Sequence, residues 1–319
     1  MPDLVQTLCR LRAAPRLAAR LLRHGIPRRL VLFGPLSLGD DLLCTAIFRE
    51  LRRRGQDRLW MMSRHPEFFA HNGDVDRVVP IDEHHARLLT WLGTTVTRPY
   101  AFGASPDGNR MLPPPRPLIA QMCALSGVTG EVELRPWLHL TSEERARGRL
   151  AARQIVMHSS GQSAKVTMAN KEWGSARFQE VATGLAARGF EVIQLGAQTD
   201  PPLASARDLR GRTTFRESAA IVAGAQAVVC QVGFLMHLAR AVEARAVVIF
   251  GGVEDPAISG YAANENLTSQ PPCATCWLPN DCPHGKACMA AISSRDVIAA
   301  VERQVGRSGE PLPLGTCTI

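Results

Sequence analysis

Short apolar runs alternate with amphipathic segments along most of the 319-residue chain. Leu30–Phe33 and Leu59–Met62 are apolar throughout, which is typical of strands buried on both faces of a parallel sheet. Each run is followed by a longer segment whose apolar residues have helical spacing. In the first half, the pattern predicts strands at residues 30–33, 59–62 and 77–81 and a helix over residues 40–54.

The same alternation restarts after a charged segment, residues 142–153, which is predicted to be a helix bridging two domains. Strands separated by helical segments of about ten to fifteen residues predict a parallel sheet with helices on both faces. The chain is therefore predicted to be an α/β protein with two Rossmann-like, doubly wound parallel-sheet domains facing a cleft. The strands of the second half are expected at residues 154–158, 191–195, 227–230 and 246–250, and its helices at 175–188, 215–225, 234–242 and 295–305.

This organisation divides the chain into four parts. They are a basic amphipathic helix (1–28), an N-terminal domain (29–150), a C-terminal domain (151–305) and a loose tail (306–319). Hydrophobic residues make up 45% and charged residues 21%, as in ordinary globular proteins. No apolar run approaches the roughly 18 residues that a membrane span needs.

The net charge of +8 is concentrated at one end, because the first 60 residues hold twelve Arg and five acidic residues. In residues 4–23, Leu and Arg alternate with helical spacing. This helix could pack on its own domain, lie on an anionic membrane surface or act as an organelle presequence. A nucleic-acid binder would spread its charge over a folded face and add stacking aromatics, which make up only 5% here. We therefore expect no nucleic-acid partner.

Ligands of open α/β sheets bind at the carboxyl ends of strands, so the loops there are the candidate sites. The turn after the first strand contains Asp40 and Asp41. A carboxylate at this place could act as a general base in the cleft. Alternatively, Ser37-x-x-Asp40 is a helix-capping box with acidic residues in a first helical turn.

Two further loops are candidates for binding phosphate groups. Residues 158–165 are rich in Ser and Gly, and together with Lys171 they hold two of the chain's three Lys, against 34 Arg. Main-chain N–H groups and a lysine would suit a phosphate at Ser160, Gly161 and Lys171, unless the loop is simply exposed. In the turn Gln231-Val232-Gly233, main-chain donors could bind a diphosphate. His237 follows as either a ligand-binding or a buried core histidine.

Four of the nine cysteines lie close together, as Cys273-x2-Cys276-x5-Cys282-x5-Cys288. This spacing predicts a tetrahedral thiolate site for one zinc or iron ion, in which His284 could replace a ligand. Four protein ligands leave no open coordination position, so the role would be structural. Reduced thiols or disulfides are the alternatives. No apolar secretory segment precedes the first strand, and we therefore expect a cytoplasmic protein.

Several of these segments occur in the order found in one enzyme family. Residues 30–305 resemble glycosyltransferase family 9, the ADP-heptose:heptosyltransferase group with the GT-B fold. The resemblance rests on Gly39-Asp40 with the following Leu42–Ala46, Lys171-Glu172-Trp173, Gly233 with His237-Leu238-Ala239, Phe250-Gly251, and Cys273-x2-Cys276-Trp277.

The resemblance implies an inverting transferase that binds a nucleotide sugar with its C-terminal domain and an acceptor with its N-terminal domain. Asp40 would then be the base, with Asp41 as its rival. Lys171 would neutralise charge growing on the departing diphosphate, assisted by main-chain donors near Val232 and Gly233. No metal ion would be required for the chemistry.

One departure from the family concerns its Asp-Ser/Thr-Gly segment, which is Gln231-Val232-Gly233 here. The donor identity therefore stays open, although ADP-heptose is the best single candidate. A non-catalytic nucleotide-sugar-binding or assembly subunit is the alternative function. The expected acceptor is a glycan, a glycolipid such as a lipopolysaccharide core, or a protein. A homo-oligomer, and peripheral contact with the inner membrane through the N-terminal helix, are both compatible with the sequence.

Overall fold

Two parallel sheets organise the protein, one in each half of the chain. The computed structural model describes residue 19, residues 21–33 and residues 38–319. Most of the predicted basic helix (1–28) lies outside these residues, and so does the turn 34–37 with its predicted capping residue Ser37. In the described part of the chain, no helix is both long and apolar enough to cross a bilayer.

The first sheet has four parallel strands in the order β3-β2-β1-β4. Leu30 to Leu32 and all of β2 are buried, as the continuous apolar runs predicted. The strands are β1 (Arg29–Leu32), β2 (Leu59–Met62), β3 (Arg77–Val79) and β4 (Thr95–Thr97), and the helices around them are α1 (Leu38–Arg53), α2 (Glu83–Trp91) and α3 (Leu118–Leu125).

The second sheet has six parallel strands in the order β10-β9-β8-β11-β12-β13. The chain reverses its direction of sheet growth between β8 and β11, and this is where doubly wound sheets open a binding crevice. The strands are β8 (Gln154–His158), β9 (Glu191–Gln194), β10 (Arg207–Asp208), β11 (Ala227–Gln231), β12 (Ala246–Gly251) and β13 (Glu265–Thr268), and the larger helices are α5 (Ser175–Ala186), α6 (Phe215–Ala223), α7 (Phe234–Ala241) and α10 (Ser294–Gly306).

The bridging helix is shorter than predicted. The sequence predicted residues 142–153, but α4 spans only Ser142–Arg147. Gly148 ends it, and a Cβ at Gly148 would lie 2.0 Å from the carbonyl oxygen of Ala220. This close approach to α6 turns the chain out of the helix. The remaining short elements are β5 (Gly103–Ala104), β6 (Met111–Leu112), α8 (Pro256–Ser259), α9 (Ala287–Ala290) and the 3-10 turns Pro66–Phe69 and Ala169–Lys171.

The C-terminal residues do not form the loose tail that the sequence predicted. Strand β14 (Thr316–Thr318) pairs antiparallel with β7 (Glu131–Glu133). Ile319 and Gly130 extend the pairing through two backbone hydrogen bonds of 2.8 and 3.0 Å. The end of the chain is therefore anchored by a strand that lies nearly two hundred residues earlier.

The two halves share one continuous apolar cluster. Phe68 of the first half packs its ring 4.0 Å from the ring of Phe215 and 6.2 Å from that of Phe234, measured between centroids. Beside it, the Arg216 guanidinium pairs with Glu144 and donates to the carbonyl oxygen of Glu67. These contacts hold the two sheets on either side of the cleft.

Candidate functional site

The Glu172 carboxylate organises the loop that follows β8. Its Oε1 accepts a hydrogen bond from the Gly161 amide at 2.6 Å, and its Oε2 accepts one from the Ser160 hydroxyl at 3.2 Å. A Cβ at Gly161 would lie 3.2 Å from that carboxylate, so a side chain would crowd the contact. The loop is thus tied to the segment that carries Lys171.

Gln231 is the last residue of β11, and both polar atoms of its side chain form hydrogen bonds within the protein. Its Nε2 donates to Glu172 Oε1 at 2.6 Å, and its Oε1 accepts from the Trp173 amide at 3.2 Å. The residue is only 4% exposed. Where the family has an acidic residue, this chain therefore has an amide that fastens residues 172–173 to the end of β11.

Lys171 forms an ion pair with Glu254, a residue just beyond β12. The Glu254 side chain is 4% exposed and that of Lys171 is 13% exposed, so the pair is largely shielded from water. The second carboxylate oxygen of Glu254 accepts a hydrogen bond from the Ser259 hydroxyl at 2.6 Å. The ammonium group predicted to meet a diphosphate is therefore already neutralised.

His237 lies in α7 and contacts the Tyr261 hydroxyl through Nδ1 at 2.6 Å. Burial lowers the pKa of His237 to about 4, with the Lys171 charge acting in the same direction and Glu254 opposing it. The imidazole is therefore neutral at pH 7. It contributes hydrogen bonding next to the Lys171–Glu254 pair and adds no charge.

The turn between β11 and α7 leaves open space. A Cβ at Gly233 would meet no described atom within 4 Å. The Val232 amide donates to the Ile249 carbonyl at 3.3 Å, so this donor is already used in the sheet. Main-chain donors for a ligand therefore begin at Gly233, at the start of the helix.

A cavity of about 350 Å³ opens beside the Glu172 loop. Ser159, Ser160 and Glu172 line one side, while Arg177 and Lys286 bring two cationic side chains. Polar and charged groups thus surround a space that is large enough for part of a nucleotide.

In the first half, Asp40 and Asp41 occupy the first turn of α1. Asp41 is 3% exposed, and its Oδ2 accepts a hydrogen bond from the Ser63 hydroxyl. Its Oδ1 is buried without a partner among the described residues, and burial raises the pKa of Asp41 to about 6. Asp40 is only half-buried. Partial burial and the Asp40 charge both raise the pKa of Tyr100, although this residue is 63% exposed.

The four clustered cysteines line one cavity of about 310 Å³, together with His284 and Arg110. Burial is the main cause that raises the pKa of Cys276, and the other three thiols add to it. Within the described ranges, no three His, Cys, Asp or Glu side chains are arranged so that they could hold a metal ion. The thiols therefore face a common space without forming a closed ligand set. The cysteines are Cys273, Cys276, Cys282 and Cys288.

Sequence reasoning did not identify Glu172, Glu254 or Tyr261 as site residues. Glu254 follows a buried strand, which is the kind of position that singled out the other candidates. Glu172 lies between Lys171 and Trp173, two residues that the resemblance had named. The position after a strand was thus a usable signal for Glu254, whereas nothing local distinguished Tyr261.

Part of the chain matches a family of sugar transferases. Residues 131–282 match the family model described as glycosyltransferase family 9 (heptosyltransferase). No curated protein matches the chain by sequence. The matched segment includes the candidate residues from Ser160 to His237 and three of the four clustered cysteines.

Solved structures match over most of the chain. A glycosyltransferase family 9 protein from Veillonella parvula is 15% identical with a TM-score of 0.65, covering 89% of this chain and 99% of its own. The ADP-heptose lipopolysaccharide heptosyltransferase II of Escherichia coli is 14% identical, with a TM-score of 0.62 and coverage of 88% and 99%. The iron-containing dodecameric glycosyltransferase TibC of enterotoxigenic Escherichia coli is 17% identical, with a TM-score of 0.68 and coverage of 88% and 76%.

At these identities the structures establish the fold, and the family model adds the sequence match. The predicted α/β architecture of two Rossmann-like sheets facing a cleft is confirmed. The resemblance to glycosyltransferase family 9 is therefore also confirmed, by the family model over residues 131–282 and by a GT-B fold over most of the chain.

Proposed function

We propose that the protein is an inverting glycosyltransferase. It moves a sugar from a nucleotide diphosphate donor to a hydroxyl group of a glycan, glycolipid or protein acceptor. One observation carries this proposal: residues from three separate segments converge at the carboxyl ends of β8, β11 and β12. They are Ser160, Gly161, Lys171 and Glu172 after β8, the turn that begins at Gln231 after β11, and Glu254 after β12.

In the proposed reaction, Asp40 accepts the proton of the acceptor hydroxyl while that oxygen attacks the anomeric carbon of the donor. The bond from that carbon to the diphosphate oxygen breaks, and its electron pair leaves with the diphosphate. Lys171 and the main-chain donors from Gly233 onward stabilise the negative charge that develops there. Asp41 is too deeply buried to reach an acceptor, which favours Asp40 as the base.

ADP-heptose is the proposed donor. One structural neighbour is named an ADP-heptose heptosyltransferase, and TibC has been solved in complex with ADP-D-β-D-heptose. TibC is also described as a dodecamer, which supports the proposal of a homo-oligomer. A cytoplasmic location, with peripheral membrane contact through residues 1–28, completes the proposal.

We further propose one structural zinc or iron ion at Cys273, Cys276, Cys282 and Cys288. Support comes from the cavity that all four thiols line and from the iron in TibC. The thiols would have to draw together around the ion, because the described arrangement does not form a ligand set. Thiolates suit both metals. Four thiolate ligands would cross-link residues 273–288 and leave no position for substrate, so the transfer itself would not use the ion.

Metal analysis tests this site. The purified protein is expected to contain about one zinc or iron ion per chain. Changing Cys276→Ser and Cys282→Ser together should abolish metal binding, because two of the four ligands are lost. Cys317→Ser is the control, since Cys317 lies in β14, away from the cluster. A wild-type protein without metal, purified under reducing conditions, would contradict the proposal.

A non-catalytic nucleotide-sugar-binding subunit is the second candidate. The observation that favours it is the internal use of Gln231, whose amide atoms both bond within the protein. Such a subunit would bind a donor without releasing its diphosphate.

A screen with nucleotide sugars separates the two candidates. A ligand that binds only the folded protein raises its melting temperature, so this part of the test needs no acceptor. We expect ADP-heptose to give the largest shift among ADP-, UDP-, GDP- and dTDP-sugars, with slow release of ADP. Binding without release, even with candidate acceptors present, would favour the non-catalytic subunit. No shift with any donor would contradict both proposals.

A further inference from the structure

The charge of Lys171, the residue proposed to meet the diphosphate, is already balanced within the protein. Its ammonium group pairs with the carboxylate of Glu254, and Ser259 holds the other oxygen of that carboxylate at 2.6 Å. Among the described residues, Glu254 has no second cationic partner. An incoming diphosphate therefore meets a neutral pair in place of a free cation.

The side chains of His237 and Tyr261 add no charge to the pair of Lys171 and Glu254. His237, whose pKa is affected by both charges of the pair, is neutral at pH 7 because burial lowers that pKa to about 4. Tyr261 is uncharged as well, since burial raises the pKa of its hydroxyl. Of these four side chains, only Lys171 and Glu254 carry a charge, and the two charges cancel. In such a shielded place, electrostatic interactions are stronger than in water.

We propose that Glu254 is the resident counter-ion of Lys171, which the diphosphate of the donor must displace. This inference rests on the proposed function. Glu254 competes for the same ammonium group and repels the diphosphate as a like charge. It therefore weakens the binding of donor and of the nucleoside diphosphate product. After transfer, the return of Lys171 to Glu254 favours release of the product.

The contact to Ser259 suits this role. It anchors the carboxylate through the oxygen that does not bind Lys171. Glu254 can therefore stay in place while Lys171 turns toward a ligand. Lys171 thus has two positions, one paired with Glu254 and one facing a ligand, and only the lysine side chain moves between them.

The test is the affinity for ADP, measured by calorimetry. Glu254→Gln should bind ADP at least about tenfold more tightly than the wild type, a difference of about 1.4 kcal/mol, and release it more slowly. The amide has the same shape and can keep contacts with both Lys171 and Ser259, so the fold should be retained. Glu302→Gln removes an exposed carboxylate that pairs with Arg188, and it serves as the control for net charge.

Ser259→Ala is a milder second variant. Loss of the anchor should loosen Glu254 and shift ADP affinity in the same direction by a smaller factor. In a Lys171→Met background, Glu254→Gln should raise the affinity for ADP much less. The cation for which Glu254 and the diphosphate compete is then absent. This double-mutant cycle isolates the coupling between the two residues.

The possible failures are distinguishable. If the wild type binds neither ADP nor any other nucleoside diphosphate, the proposed function itself fails. If the wild type binds ADP but Glu254→Gln binds it equally or less tightly, the counter-ion proposal alone is overturned. An equal gain in Glu302→Gln would show a general charge effect and would overturn it as well.

Discussion

Asp40→Asn is expected to lower the rate of sugar transfer at least about a hundredfold, which is the usual scale of general-base catalysis. Asparagine keeps the shape of the side chain but cannot accept the proton of the acceptor hydroxyl. The proposed donor site lies in the other half of the chain, so nucleotide binding should be unchanged. The measurement compares kcat with the dissociation constant for the donor.

Asp41→Asn is the matched control, because it makes the same change one residue away. Asp41 is buried and bonded to Ser63, so its replacement should affect stability more than transfer. A second control, Asp57→Asn, removes an exposed carboxylate that pairs with Arg28. Near-normal turnover in Asp40→Asn would end the assignment of the base. Loss of turnover in Asp41→Asn alone would transfer the role to Asp41.

Lys171→Met is expected to lower the free energy of unfolding by about 3 kcal/mol. The variant leaves the Glu254 carboxylate in a site that is only 4% exposed, without its cation. A loss of this size is a large part of the 5–15 kcal/mol typical of folded proteins. Chemical denaturation, in the absence of nucleotide, measures it.

The double variant Lys171→Met with Glu254→Gln is the control for this interpretation. It should recover most of the lost stability, because no buried charge is then left unpaired. If Lys171→Met unfolds at the same denaturant concentration as the wild type, the buried ion pair contributes nothing to the free energy of unfolding. If the double variant is less stable than Lys171→Met, the loss comes from packing and has no electrostatic cause.

The sequence predicted the buried strands because residues that are covered on both faces of a sheet form continuous apolar runs. Strand β2 has the predicted bounds because a parallel strand covered on both faces is apolar at every position. Strand β8 also has the predicted bounds, with an apolar centre of Ile155, Val156 and Met157 between Gln154 and His158. The Thr-x-x-Glu spacing of Thr214 and Glu217 predicts a capping box, and this box forms at the start of α6. By contrast, β7 and β14 alternate charged or polar residues with apolar ones, and each pairs with a strand that lies nearly two hundred residues away.

By itself, the sequence determined the alternation of strands and helices, and hence the loops in which the site residues lie. Those features depend on periodicity and on short spacings within single segments. Only the tertiary structure decided that Glu254 neutralises Lys171 and that Gln231 is used internally, because these partners come from separate strands. It also distinguished Asp40 from Asp41. Successive residues of a helix point about 100° apart, so packing buries one carboxylate and leaves its neighbour partly exposed.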